Sequence, residues 1–176
     1  LNVAQVALLS GDRVGLMAYG MAAQRSVGLG KGERQLRSLM EELSLVKEET
    51  AEANHLQAAA RFMATQSRRS LVVWLTDLAD TAMTPEVIEG AAAVLGRHLV
   101  LFAVIDNPAL SELADQTPAT EEELYRSTAA HEVMLRREAL IAGLRARGAH
   151  TLEVGASGLS AAVVEEYFQI KERGLI

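Results

Sequence analysis

Two apolar runs end in acids, and their spacing is the first sign of chemistry. Leu71-Val72-Val73-Trp74-Leu75 stops abruptly at Thr76-Asp77-Leu78-Ala79-Asp80, and Leu99 to Ile105 stops at Asp106-Asn107-Pro108. Continuous apolar runs of this length read as parallel strands covered on both faces, and ligands of such sheets collect at the strand C-terminal ends. Asp77, Asp80 and Asp106 are therefore the acids to weigh. A carboxylate pair at that crest could hold a hard divalent cation such as Mg²⁺, with Asp77 and Asp80 as ligands. Near-octahedral oxygen coordination needs more than two acids, however. The alternative is that Asp77 caps the following turn through its own backbone.

Other constellations fall away on spacing. Gly28-Leu29-Gly30-Lys31-Gly32 lacks the G-x-x-x-x-G-K-[ST] pattern of a phosphate loop, and its glycines are expected to supply positive φ at a hairpin exit, with Lys31 solvated. His55, His98, His131 and His150 show no metal-site spacing, and His98 and His150 fall at strand entrances, away from the ligand side. Gly155-Ala156-Ser157-Gly158 is not a nucleophile elbow. Arg68-Arg69 and Arg136-Arg137 read as solvated helix faces, and Glu121-Glu122-Glu123 as an acidic helix N-terminus.

The composition frames these residues. A chain of 176 residues, 49% hydrophobic and 23% charged, has the make-up of one folded domain. A net charge of -6 is the wrong sign for a nucleic-acid binder. Without cysteine there is no disulfide, thiolate metal site or cysteine nucleophile. No apolar run is long enough for a membrane span, so the chain is expected to be soluble with no membrane contact of its own.

The elements that must position the acids follow from local pattern. Asn2 is expected to cap a short helix that Gly11 ends. Arg13 to Tyr19 reads as a strand buried on both faces, followed by a second strand around Arg25 to Leu29 in an antiparallel hairpin. Leu36, Leu39, Met40, Leu43 and Val46 recur at helical spacing as an amphipathic face. Asn54 and Gln57 start a helix through Gln66, and Thr84-Pro85 starts another with Val87, Ala91, Val94 and Leu95 inward. Thr120 and Glu123 form a capping box for a long helix ending before Gly148. Thr151 to Val154 is a last strand, and a helix through Val163, Val164, Tyr167 and Ile170 stops near Gly174. Helices alternating with buried strands imply an α/β fold: a doubly wound, mostly parallel sheet with helices on both faces, Rossmann-type, with one antiparallel edge hairpin.

Gly11 to Gly20, Arg68 to Asp77, Arg97 to Phe102 and the tail Tyr167 to Lys171, in this order, resemble the domain-of-unknown-function 58 family, whose members contain a von Willebrand factor A-like domain. The resemblance implies a bacterial, membrane-anchored parent whose domain faces the cytoplasm. It also implies a non-enzymatic protein-binding role beside a MoxR-type AAA+ ATPase, in assembly or chaperone work. Such domains use a metal-ion-dependent adhesion site, built from an Asp-x-Ser-x-Ser segment after a first strand, a second-loop Thr and a later Asp. Asp77 matches the later Asp. The Asp-x-Ser-x-Ser segment has no counterpart in this chain, which is read as an N-terminally truncated domain over 1–176. Near the second-loop position stand Asn54 and Thr50.

The resemblance thus implies Asp77, with Asn54 and Asp80 as further metal candidates, and a partner surface formed by Thr76, Asp77, Asp80 and Asp106. No tightly held cofactor is expected in this chain, and Mg²⁺ or another divalent cation is expected to act only in the longer parent. In the family's sheet order the first strand stands between Arg13–Tyr19 and Leu71–Leu75. Their edges are expected to close on each other or to recruit a neighbouring chain, giving a homo-oligomer. The competing enzyme reading is a Mg²⁺-dependent phosphotransfer or hydrolase domain using the same acids, but no nucleophile, base or phosphate cradle accompanies them. A receiver-like domain would need paired acids after its first strand, which this chain lacks.

Overall fold

The computed structural model describes residues 1–76 and 86–176. Asp77, Asp80 and the helix start expected at Thr84-Pro85 lie outside the described residues. The elements run α1 (Asn2–Leu9), β1 (Val14–Tyr19), β2 (Ala23–Gly30), α2 (Gly32–Ser44), α3 (His55–Thr65), β3 (Leu71–Thr76), α4 (Glu86–Leu95), β4 (Leu99–Ile105), α5 (Pro108–Asp115), α6 (Glu121–Ala146), β5 (His150–Val154) and α7 (Leu159–Glu172).

Local chemistry sets several of these boundaries. The Asn54 side chain accepts from the Gln57 amide and starts α3. Thr120 and Glu123 exchange bonds in a full capping box at the head of α6. Gly11, Gly32 and Gly148 each take positive φ where a helix ends or a hairpin hands over to one. Asn2 is a correction: it lies inside α1, after Leu1 at the cap position, and its amide donates to Ser160 on α7 at 2.6 Å.

The strands form two sheets. β1 and β2 are an antiparallel pair, with Leu16 opposite Val27 and Met17 opposite Ser26. β3, β4 and β5 form a parallel sheet with β4 in the middle, Trp74 standing beside Phe102 and Phe102 beside Thr151. Alternation along β4 sends Val100, Phe102 and Val104 to one face and Leu101 and Ala103 to the other. The first face packs on Ala59 of α3, Val87, Ala91 and Val94 of α4, and Leu140, Ile141 and Leu144 of α6. The second meets Val163 and Leu159 of α7 and Val3 of α1. Helices therefore cover both faces of the parallel sheet.

Three burial expectations need correcting. β1, read as covered on both faces, is only half-buried, because among the described residues it pairs with β2 alone. β3, read as covered on both faces, is buried only at Trp74, because among the described residues it pairs with β4 alone. On α2 only Leu39 is buried; Met40 and Leu43 stay exposed, and Val46 lies beyond the helix end. The helix α5 was not foreseen, although Asn107-Pro108 carries the signal of a cap followed by proline at the first turn. No helix among the described residues is long and apolar enough to cross a membrane.

Candidate functional site

Parallel pairing of β3 with β4 brings their C-terminal ends to one crest. Thr76 is the last residue of β3 and stands in register with Val104, two positions before Asp106. The Asp106 amide donates to Val154 at the end of β5, so all three strands finish together.

Asp106 is held by a residue that local pattern misread. Arg137, taken as part of a solvated pair with Arg136, has only 11% of its side chain exposed and donates from Nη1 to Asp106 Oδ1 at 2.9 Å. A second bond runs from Nη2 to the Ile105 carbonyl at 3.4 Å. The guanidinium of α6 thus fixes the crest carboxylate in place, while 45% of the Asp106 side chain stays open to solvent. Arg136 does lie on the outer face, paired with Glu132 one turn back. The separation of 31 residues between Asp106 and Arg137 hides their pairing from any motif.

A second polar cluster joins β1, α3 and β3 at the same end. The Asn54 amide donates to the Gly20 carbonyl at 2.9 Å, anchoring the start of α3 beside the end of β1. Next to it, the buried His55 Nδ1 lies 2.9 Å from the Tyr19 hydroxyl, which also receives a short bond from Trp74 Nε1. Indole can only donate, so the Tyr19 oxygen accepts from Trp74, and the direction of its bond with His55 Nδ1 follows the imidazole tautomer. Burial pushes the Tyr19 phenol up to about 12, against the opposing effect of the Trp74 bond, so it stays protonated at neutral pH. A cleft of about 420 Å³ opens beside this cluster between α3 and the β1–β2 turn, with Asn54, Gln57 and Arg61 among its lining.

Two more charged groups are explained by packing. Asp12 accepts from Tyr167 at 2.5 Å and from Lys171 at 2.8 Å, clamping α7 onto the loop before β1. Burial alone would raise the Asp12 carboxyl, but these two hydrogen bonds prevail and hold it below its ordinary range. The bond to Asp12 likewise raises the Lys171 ammonium. His98, at the entrance of β4, is 4% exposed, lies edge-on to Phe62 and among the described residues has no hydrogen-bond partner on either ring nitrogen. Burial and then Arg97 hold it below the ordinary 6.5.

Of the proposed ligands, Asp77 and Asp80 lie outside the described residues. Thr76 and Asp106 share the crest. Asn54 uses its side-chain oxygen to cap α3, which competes with metal binding, and Thr50 is exposed in the loop before it. Among the described residues no group of three His, Asp or Glu could share a cation. With Asn54 spent on a cap and Asp106 on Arg137, these residues do not by themselves assemble the oxygen shell of Mg²⁺.

Comparison with curated proteins and with solved structures returned no match to this chain. A family profile described as protein of unknown function DUF58 matches residues 1–140, a span from α1 into the second half of α6 that contains the crest and the Tyr19 cluster. The chain that builds this crest therefore belongs to the DUF58 family.

Proposed function

We propose that the chain is a protein-interaction domain of the von Willebrand factor A-like kind, and that its partner binds the crest formed by Thr76, Asp77, Asp80 and Asp106. The carrying observation is Asp106: a carboxylate fixed by Arg137 yet 45% exposed presents a preorganised acceptor to a docking partner. Three parallel strands with helices on both faces suit a doubly wound sheet of that kind, in which a further strand would run between β1 and β3. What supports a binding rather than an enzymatic reading is that the hydroxyl–imidazole pair Tyr19 and His55 is buried, with burial pushing the phenol up to about 12.

The resemblance makes a MoxR-type AAA+ ATPase the first partner to try, at the cytoplasmic side of a bacterial membrane. Binding of the chain to a purified ATPase of this class should weaken by about tenfold, roughly 1.4 kcal/mol, in Asp77→Ala and in Asp106→Asn. Glu112→Ala, on α5, should leave binding unchanged. Parallel titrations with Mg²⁺ and with a chelator separate direct recognition from a cation bridge. Retention of full affinity by both crest variants would sink the proposed surface.

A further inference from the structure

The helix α6 spans 26 residues, and its outward face carries apolar side chains that stay exposed among the described residues. Leu124 is 54% exposed and Leu135 65%. With the exposed Thr128, His131, Ala139 and Ala142 they recur every three or four residues, which places them in one strip along the helix. A monomer normally sinks such a strip into its core, and here the opposite face of α6, with Leu140, Ile141 and Leu144, already does that.

The order of residues in the strip says what fits it. Leu135 is a centre of symmetry: eleven residues before it is Leu124 and eleven after is Ala146; seven before is Thr128 and seven after is Ala142. Larger side chains on one half thus match small ones on the other when two copies of α6 lie antiparallel. The charges stand within two residues of that register. On one flank Glu132 would face Arg136 of the second copy, extending the Glu132–Arg136 pair within each helix into a four-charge network. On the other flank His131 would face Glu138 of the second copy, and at the ends Glu121 would face Arg147. Every such contact occurs twice, as an isologous two-fold interface requires.

We propose that this chain self-associates as a two-fold dimer through antiparallel α6 helices, with Leu135 on the symmetry axis. One helix face falls short of the roughly 800 Å² per partner of a standard interface, so the dimer is weak and concentration-dependent. This interface is independent of the crest and of the open edges of β1 and β3.

Sedimentation of the whole chain over a series reaching about 1 mM should show the mass rising from 18.9 kDa towards twice that value. Leu135→Glu sets two carboxylates against each other on the axis and should hold the chain monomeric across the series; an exposed position tolerates the change without unfolding. Glu132→Arg should weaken the dimer several-fold, and combining it with Arg136→Glu should restore it. Because the chain has no cysteine, Leu135→Cys should also oxidise to a covalent dimer, whereas Leu9→Cys, on the equally exposed α1 surface, should not. A wild-type chain that stays at 18.9 kDa throughout overturns the interface. So does a dimer that survives Leu135→Glu, since association then uses another surface such as the sheet edges.

Discussion

β3 and β4 are neighbours of nearly equal apolarity and very unequal burial. In β4, Val100, Leu101, Phe102, Ala103 and Val104 have no measurable exposure, while in β3 only Trp74 is buried and Leu75 is 55% exposed. The backbone and residue types are alike; the surroundings differ. β4 has a hydrogen-bonded strand on each side, whereas among the described residues β3 has one. On the outer side of β3 the link to β1 is made by side chains, Trp74 to Tyr19 and on to His55, rather than by a backbone ladder. Burial of a strand is thus a property of its two neighbours as much as of its own sequence, and an edge such as that of β3 is where pairing with another segment can occur.

That contrast can be broken by deletion. Phe102→Ala removes a fully buried ring stacked on Trp74 at 5.0 Å and should cost about 3–5 kcal/mol, read from denaturant unfolding. Leu75→Lys on β3 should stay within about 0.5 kcal/mol of wild type, because its side chain is already largely in water. Similar losses at the two sites would mean that β3 is as enclosed as β4.

The side-chain bridge sharpens it next. Trp74→Phe keeps an aromatic ring against Phe102 but removes the donor to the Tyr19 hydroxyl, at a cost of about 1–3 kcal/mol. Combining it with Tyr19→Phe, which also takes the hydroxyl from His55, should cost less than the sum of the two single changes, since the Trp74–Tyr19 bond can be lost only once. Strictly additive losses would show that the bond contributes nothing to joining the two sheets.

The smallest effect concerns pH. His98 binds its proton less readily in the folded chain than at the ordinary 6.5, so between that value and its lower folded value the unfolded chain holds more protons. Stability should be complete above 6.5 and should fall as the solution is acidified below it. Thermal unfolding followed from about pH 7.5 to about pH 5.5 should show this decline, and His98→Leu should flatten it. An unchanged slope in the variant would remove His98 as the source.

Legibility in the sequence followed the range of the forces involved. The Asn54 cap, the Thr120–Glu123 box and the turn at Gly148 were readable because each acts within a few residues. The antiparallel hairpin and the apolar face of α4 were readable from period and spacing. What failed were statements about neighbours: the burial of β1 and of β3, and the solvation of Arg137. At the site, Thr76 and Asp106 were correctly placed at strand ends, but the guanidinium that fixes Asp106 comes from a helix whose surface pattern gives no hint of it.

The sequence by itself determined the start of α3, the start and end of α6 and the β1–β2 hairpin, because caps, periodicity and glycine conformations are local. It also determined the absence of any thiol chemistry. Only the tertiary structure decided which apolar run is enclosed by two strands and which by one among the described residues, which arginine is buried against an acid, and which face of α6 turns outward. Each of these depends on what stands across from a residue, and residues far apart in the chain supply it.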